Sequence, residues 1–181
     1  MRSLSAIVVA AVMSAAAAQA STAAKSSPLA GRWQTVRTCQ ALVDDLRKAG
    51  LTPIAPAVVG DYFPTQTSAA LARKKRICAG AKPQRHSHFF TGDGKFGSLD
   101  QHGKQVDDGS YQLLNANTVK INDGTFRFRI RGKTLMLTPL LTAAEKQAAL
   151  AKPLDFSTAG WMVAVSYFGH PWGRVACGSW C

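Results

Sequence analysis

The sequence predicts a mainly β protein in which an antiparallel meander closes into a small barrel or sandwich, with two short helices and two disulfides. Three observations carry this. Between His86 and Leu141, short apolar-polar runs alternate with tight-turn residues at near-regular spacing, which marks hairpin-linked strands. The run TFRFRIR alternates without a break: Phe126, Phe128 and Ile130 fall on one face, Arg127, Arg129 and Arg131 on the other. A register slip of one residue would bury three arginines, so the pairing of this strand is firmly set. Finally, four cysteines, Cys39, Cys78, Cys177 and Cys181, follow a leader that reads as an export signal.

That leader occupies residues 1–20. Arg2 supplies a positive start, Leu4 to Ala17 is apolar and uncharged, and Ala18-Gln19-Ala20 has the small-x-small pattern of a cleavage site. The apolar run is too short to span a bilayer as a mature helix, and no twin arginine or lipid-anchor cysteine accompanies it. The expected location is therefore secreted or periplasmic. Residues 21–30 are small and polar, a flexible leader, and residues 31–181 form one disulfide-stabilised β domain.

Within that domain Gly31-Arg32-Trp33 begins a first strand. Thr38 to Ala49 then predicts a helix, with Thr38 as N-cap and Gly50 past its end. Cys39, Leu42, Val43 and Leu46 form its apolar stripe, so Cys39 faces the core. Residues 51–85 carry four prolines, and APAVVGDYFPTQ reads as an ordered loop. The meander follows as strands over 86–91, 95–100, 105–114, 118–122, 125–131 and 134–141, with Asp123-Gly124 the strongest hairpin signal. Val119 and Ile121 point inward around Lys120, as do Leu135 and Leu137 around Met136. Thr142-Ala-Ala-Glu145 has the pattern of a capping box and opens a second helix that stops before Pro153. The apolar run AGWMVAVSYF has strand length and is expected to close the sheet, leaving GHPWGRVACGSWC as a disulfide-tied tail.

An even set of cysteines in an oxidising compartment reads as two bridges with three possible pairings. Cys39–Cys78 and Cys177–Cys181 is the expected one. No CxxC pair exists to favour a metal instead.

Chemistry-bearing patterns are sparse. His86 and His88 share one strand face, as zinc or copper ligands can, yet nothing in the sequence fixes a third ligand. They are the candidates for a metal-dependent activity. The aspartates of GDGKFGSLD do not follow a calcium loop, because Lys95 and Gly97 stand where oxygen ligands belong. There is no G-x-S-x-G elbow, and Asp107 and Asp108, as strand neighbours, point to opposite faces. No catalytic residue and no cofactor is expected. The formal charge of +12 instead favours anionic surfaces, and for an exported chain these are envelope polymers or lipid headgroups rather than nucleic acid. Arg73, Lys74, Lys75 and Arg76 form a basic run, and Arg127, Arg129 and Arg131 a basic strand face; together they are the candidate anion-binding residues.

Gly31-Arg32-Trp33 resembles the G-x-W opening of lipocalin-like, calycin-type β-barrels of secreted bacterial proteins. The meander is similar to their repeated hairpins: Phe90 to Phe96 as F-x-x-D-G-x-F, Asp108 to Tyr111 as D-G-x-Y, and the F-R-F-x-I…L-x-L-x-P run ending at Pro139. The resemblance covers residues 31–37 and 86–140, and a helix and a basic loop are inserted between the first two strands. It implies a barrel with Trp33 at its floor, binding a small apolar molecule within. Trp33, Phe126, Phe128 and Leu135 are then the candidate ligand-binding residues. Some secreted bacterial relatives with a similar G-x-W…Cys opening inhibit proteases, which gives the alternative expectation of a β-barrel protease inhibitor. The main expectation is an exported, non-enzymatic binding protein for a small apolar ligand or an anionic envelope surface.

If the four thiols are all bridged, thiol titration of the denatured, unreduced mature protein should find none free. Any stoichiometric free thiol would break the expected framework.

Overall fold

In the computed structural model of the protein, which describes residues 27–63 and 67–181, eight antiparallel strands close into a barrel in simple sequence order. The strands are β1 (Gly31–Arg37), β2 (Gln84–Phe90), β3 (Lys95–Leu99), β4 (Gln105–Asn115), β5 (Thr118–Ile121), β6 (Gly124–Arg131), β7 (Thr134–Pro139) and β8 (Trp172–Val175). Pairing of β8 with both β1 and β7 completes the circle, so no strand is left with an open edge. The expected signal segment 1–20 and most of the expected leader 21–30 lie outside the described residues. No helix among the described residues is long and apolar enough to cross a membrane.

The meander follows its expected bounds closely. Phe126 and Phe128 are buried and Ile130 half-buried, whereas Arg127, Arg129 and Arg131 stand exposed. Inward alternation continues through Val119 and Ile121 on β5 and Leu135 and Leu137 on β7. One turn differs by a residue. Ile121 pairs with Gly124, so the hairpin loop is Asn122-Asp123, and Asn122 takes the left-handed conformation at φ 48°. Gly124 is needed inside the strand for space: a Cβ there would lie 2.9 Å from Met162 Cγ and 2.9 Å from the Phe126 ring.

Among the described residues every α-helix hangs from one rim of the barrel. β1 ends and β2 starts there, as β7 ends and β8 starts. Their connections carry α1 (Cys39–Lys48), α2 (Ala55–Tyr62), α3 (Ser68–Ala72), α4 (Ala143–Ala151) and α5 (Thr158–Ser166). Two of these were expected. Thr38 caps α1 through its hydroxyl, and Thr142 with Glu145 forms the reciprocal capping box of α4.

The other three correct the sequence reading. APAVVGDY is helical, not a loop, because Pro53 and Pro56 sit in the first turns of their helical segments, where the missing N–H costs nothing. The run expected to close the sheet is α5, capped by Ser157, and the closing strand is β8 further on. An apolar stretch of ten residues satisfies either element by pattern. The helix wins because seven of its nine residues, Ala159, Gly160 and Met162 to Ser166, are inaccessible.

Two cores result. The barrel core holds Leu29, Trp33, Phe90, Phe96, Phe126, Leu135, Leu137 and Trp172, joined by Met162 and Val165 of α5. The helical core holds Leu42, Leu46, Leu51, Ile54 and Val58, joined by Ala159, Val163 and Ala164 of the same helix. Cys39–Cys78 ties α1 to the chain entering β2, and Cys177–Cys181 closes the tail, where Trp180 stacks on Phe89.

The two bridges should differ in weight. Cys39–Cys78 closes a separation of 39 residues and Cys177–Cys181 only 4. Chain entropy assigns them about 4 and about 2 kcal/mol. Urea denaturation of the paired Ser variants should show roughly twice the loss of stability for the first pair.

Candidate functional site

Beneath the helices, at the rim that bears them, a cleft of about 460 Å³ opens between the barrel wall and α2 and α5. Its floor comes from β2, β3 and β4: Gln84, His86, Ser98, Val106 and Asp107, with Asp100 and Gln101 from the turn after β3. Asp61 and Tyr62 at the end of α2 form one wall, Phe156 and Trp161 the other. The inward parity of β4 puts Asp107 on the same face as buried Tyr111. Asp107 Oδ2 accepts the Trp161 Nε1–H at 3.1 Å, which fixes the indole against the barrel.

Below the floor lies a layer of buried polar groups. His88 is fully inaccessible. Its Nε2 lies 2.8 Å from the Val165 carbonyl, which can only accept, so Nε2 carries the proton. Nδ1 therefore accepts from the Ser98 hydroxyl at 2.9 Å. The ring also stacks on Trp172 at 4.2 Å between centroids. Burial, reinforced by the Arg37 charge, depresses its pKa to about 3. A Ser–His contact of this kind has the outline of a nucleophile and its base, but an imidazole held that low lacks the basicity to take the Ser98 proton near neutral pH. His88 is a brace between β2, β3 and α5.

Arg37 enters the barrel at the end of β1 and is 2 % exposed. Among the described residues none of its three guanidinium nitrogens has a hydrogen-bond partner. The charge lies instead over three rings, Tyr62 at 5.1 Å, Trp172 at 5.3 Å and Tyr167 at 5.7 Å. Burial brings its pKa down to about 10, so it stays charged at neutral pH. Burial likewise pushes the Tyr62 hydroxyl up to about 12, partly offset by Arg37. Burial also raises the carboxyls of Asp61 and Asp107, the latter moderated by the Trp161 N–H.

His86 is the member of this layer whose imidazole borders the cleft. It is 8 % accessible, it lines the cleft, and among the described residues its Nε2 has no hydrogen-bond partner. Burial first, then Arg37 and His88, hold its pKa well below the usual imidazole value. His86 and His88 do share a face, with ring centroids 5.1 Å apart. No group of three His, Cys, Asp or Glu able to hold a metal occurs among the described residues, and both nitrogens of His88 are already engaged.

The other expected site residues fall elsewhere. Trp33, Phe126, Phe128 and Leu135 are packed in the barrel core, and none of them lines the cleft. Trp33 sits toward the opposite rim, where its Nε1 donates to the Leu29 carbonyl at 2.8 Å and Arg174 lies over its ring. Arg127, Arg129 and Arg131 form an exposed row on the outer wall; Arg73, Lys74, Lys75 and Arg76 are exposed after α3, on the helical side. Asp61, Tyr62, Asp107, Phe156 and Trp161 escaped the sequence reading. Asp107 could have been found by its even spacing from Tyr111. Trp161 could not, since its segment was read as a strand.

No protein-family model matches the chain, and no curated protein is recognisably similar to it.

The buried histidines make stability depend on pH in a definite direction. Their folded pKa values lie below the unfolded value, so the unfolded chain binds more protons, for His88 between about pH 3 and 6.5, with His86 acting in the same direction. Stability is full above that window and falls as pH drops through it, by up to about 1.4 kcal/mol per pH unit for each histidine. The raised carboxyls of Asp45, Asp61 and Asp107 act with the opposite sign. Urea midpoints measured from pH 7 to 4 should fall more steeply in the wild type than in His88→Asn. Equal slopes would show that His88 is not held neutral.

Proposed function

We propose that this chain is an exported, non-enzymatic binding protein of lipocalin-like architecture that takes a small ligand in the cleft at the helical rim of the barrel. The observation that carries this is His86: an almost inaccessible imidazole with a nitrogen unpartnered among the described residues, lining the cleft with Tyr62, Phe156 and Trp161. Buried polar atoms are satisfied in nearly all folded proteins, and an exception at a concave, ring-lined site points to a bound partner. Rings supply contact area for an apolar ligand body, and the few polar groups orient it. The closed barrel, the G-x-W opening and the two disulfides support the lipocalin-like reading, and the leader over residues 1–20 supports export. The ligand position shifts from the barrel axis, where Trp33, Phe126, Phe128 and Leu135 are packed against one another and α5, to the rim.

The exposed row Arg127, Arg129 and Arg131 favours a second reading, contact with an anionic envelope surface. Such contact weakens as salt screens it.

Native mass spectrometry of protein purified from its own host should show a co-purifying small molecule. It should be lost in Trp161→Ala and retained when Arg127, Arg129 and Arg131 are all replaced by Ala. A ligand-free wild type whose indole fluorescence responds to no small molecule would sink the cleft reading. Salt-sensitive binding to acidic vesicles, abolished in the triple variant, would then favour the surface reading.

A further inference from the structure

The chain is strongly basic, with 22 Lys and Arg against 10 Asp and Glu, yet the cleft reverses that balance. Asp61, Asp100 and Asp107 line it, and among the described residues no Lys or Arg does. Asp100 is committed to its own turn, accepting the backbone N–H groups of His102 and Lys104. Asp107 spends one oxygen on Trp161, and no hydrogen bond to the Asp61 carboxylate occurs among the described residues. Both carboxylates thus keep acceptor capacity beside the ring faces of Tyr62, Phe156 and Trp161. Rings and carboxylates together attract cations, the rings through their negative faces. Arg37 lies under Tyr62, does not line the cleft, and is already engaged with three rings.

His86 supplies the second, independent observation. Its side chain is nearly inaccessible yet lines the cleft, its Nε2 has no hydrogen-bond partner among the described residues, and a neutral imidazole can accept one hydrogen bond. A carboxylate ligand has no proton to offer it, and any anion would be repelled by the aspartates. An ammonium group carries three donors and one positive charge.

We propose that the cleft binds a protonated primary amine on an aromatic or apolar body, with Asp61 and Asp107 as counter-charges, Trp161, Tyr62 and Phe156 as ring walls, and the neutral His86 imidazole as acceptor. The inference rests on the reading of the cleft as a ligand site and names the ligand class for it. At about 460 Å³ the cleft has room for a single-ring amine.

The test is quenching of indole fluorescence in the full oxidised protein by three probes of similar size: phenethylamine, 2-phenylethanol and 3-phenylpropionate. The amine should bind at least about tenfold tighter than the alcohol, and the carboxylate weakest. Asp61→Asn and Asp107→Asn should each lower amine affinity about tenfold and leave alcohol affinity unchanged, with urea midpoints confirming that each variant is folded. Asn at position 107 keeps an oxygen for Trp161. Equal or tighter binding of the alcohol or the carboxylate overturns the amine assignment and leaves the cleft a ligand site. Saturable quenching by none of the three at millimolar concentration overturns both.

Discussion

The seating of α5 in the mouth of the barrel is the constraint on which the other features depend. Seven of its nine residues are buried, which a helix tolerates only where two apolar bodies meet around it. Met162 and Val165 complete the barrel core; Ala159, Val163 and Ala164 complete the helical one. The same helix supplies the Val165 carbonyl that fixes the His88 tautomer, the Ser166 carbonyl that accepts Trp172 Nε1–H at 3.1 Å, and the Trp161 indole that Asp107 holds. Remove the helix and the barrel would lose part of its filling, one buried histidine its partner, and the cleft a wall.

The polar layer beneath the cleft follows from that closure. A barrel of eight strands has an interior just wide enough for side chains to fill. Here one half is filled with apolar residues, and the half under the helices holds Arg37, His86, His88 and Ser98. Each is made tolerable differently. His88 satisfies both nitrogens, and Arg37 spreads its charge over three aromatic faces. Its field also favours neutral histidines above it, so the layer is arranged around one positive charge. Of the two histidines, His86 keeps a nitrogen without a hydrogen-bond partner among the described residues, and it is the one that lines the cleft.

Much of the barrel was legible because strand period is strict. TFRFRIR admits one register, and the turns around Gly94, Gly103, Asn122 and Gly132 punctuate the chain where the strands end. The Thr38 cap and the Thr142–Glu145 capping box were equally plain, since these are contacts between near neighbours. Pro53 and Pro56 misled because proline signals a break, yet it fits the first turn of a helix. The site was less legible. The histidines stood out, but Tyr62, Asp107, Phe156 and Trp161 come from four separate stretches with no shared local pattern.

By itself the sequence determined the antiparallel meander, the faces of its strands, two helix starts and a bridged cysteine framework, because each rests on local periodicity, capping or composition. Tertiary structure alone decided that AGWMVAVSYF is a helix, since a short apolar run is neutral between the two conformations until its surroundings bury it all round. It alone decided where the cavity lies. Apolar residues that alternation points inward must either enclose a space or fill it, and only the packing of Trp33, Trp172, Met162 and their neighbours filled the axis and left the opening at the rim.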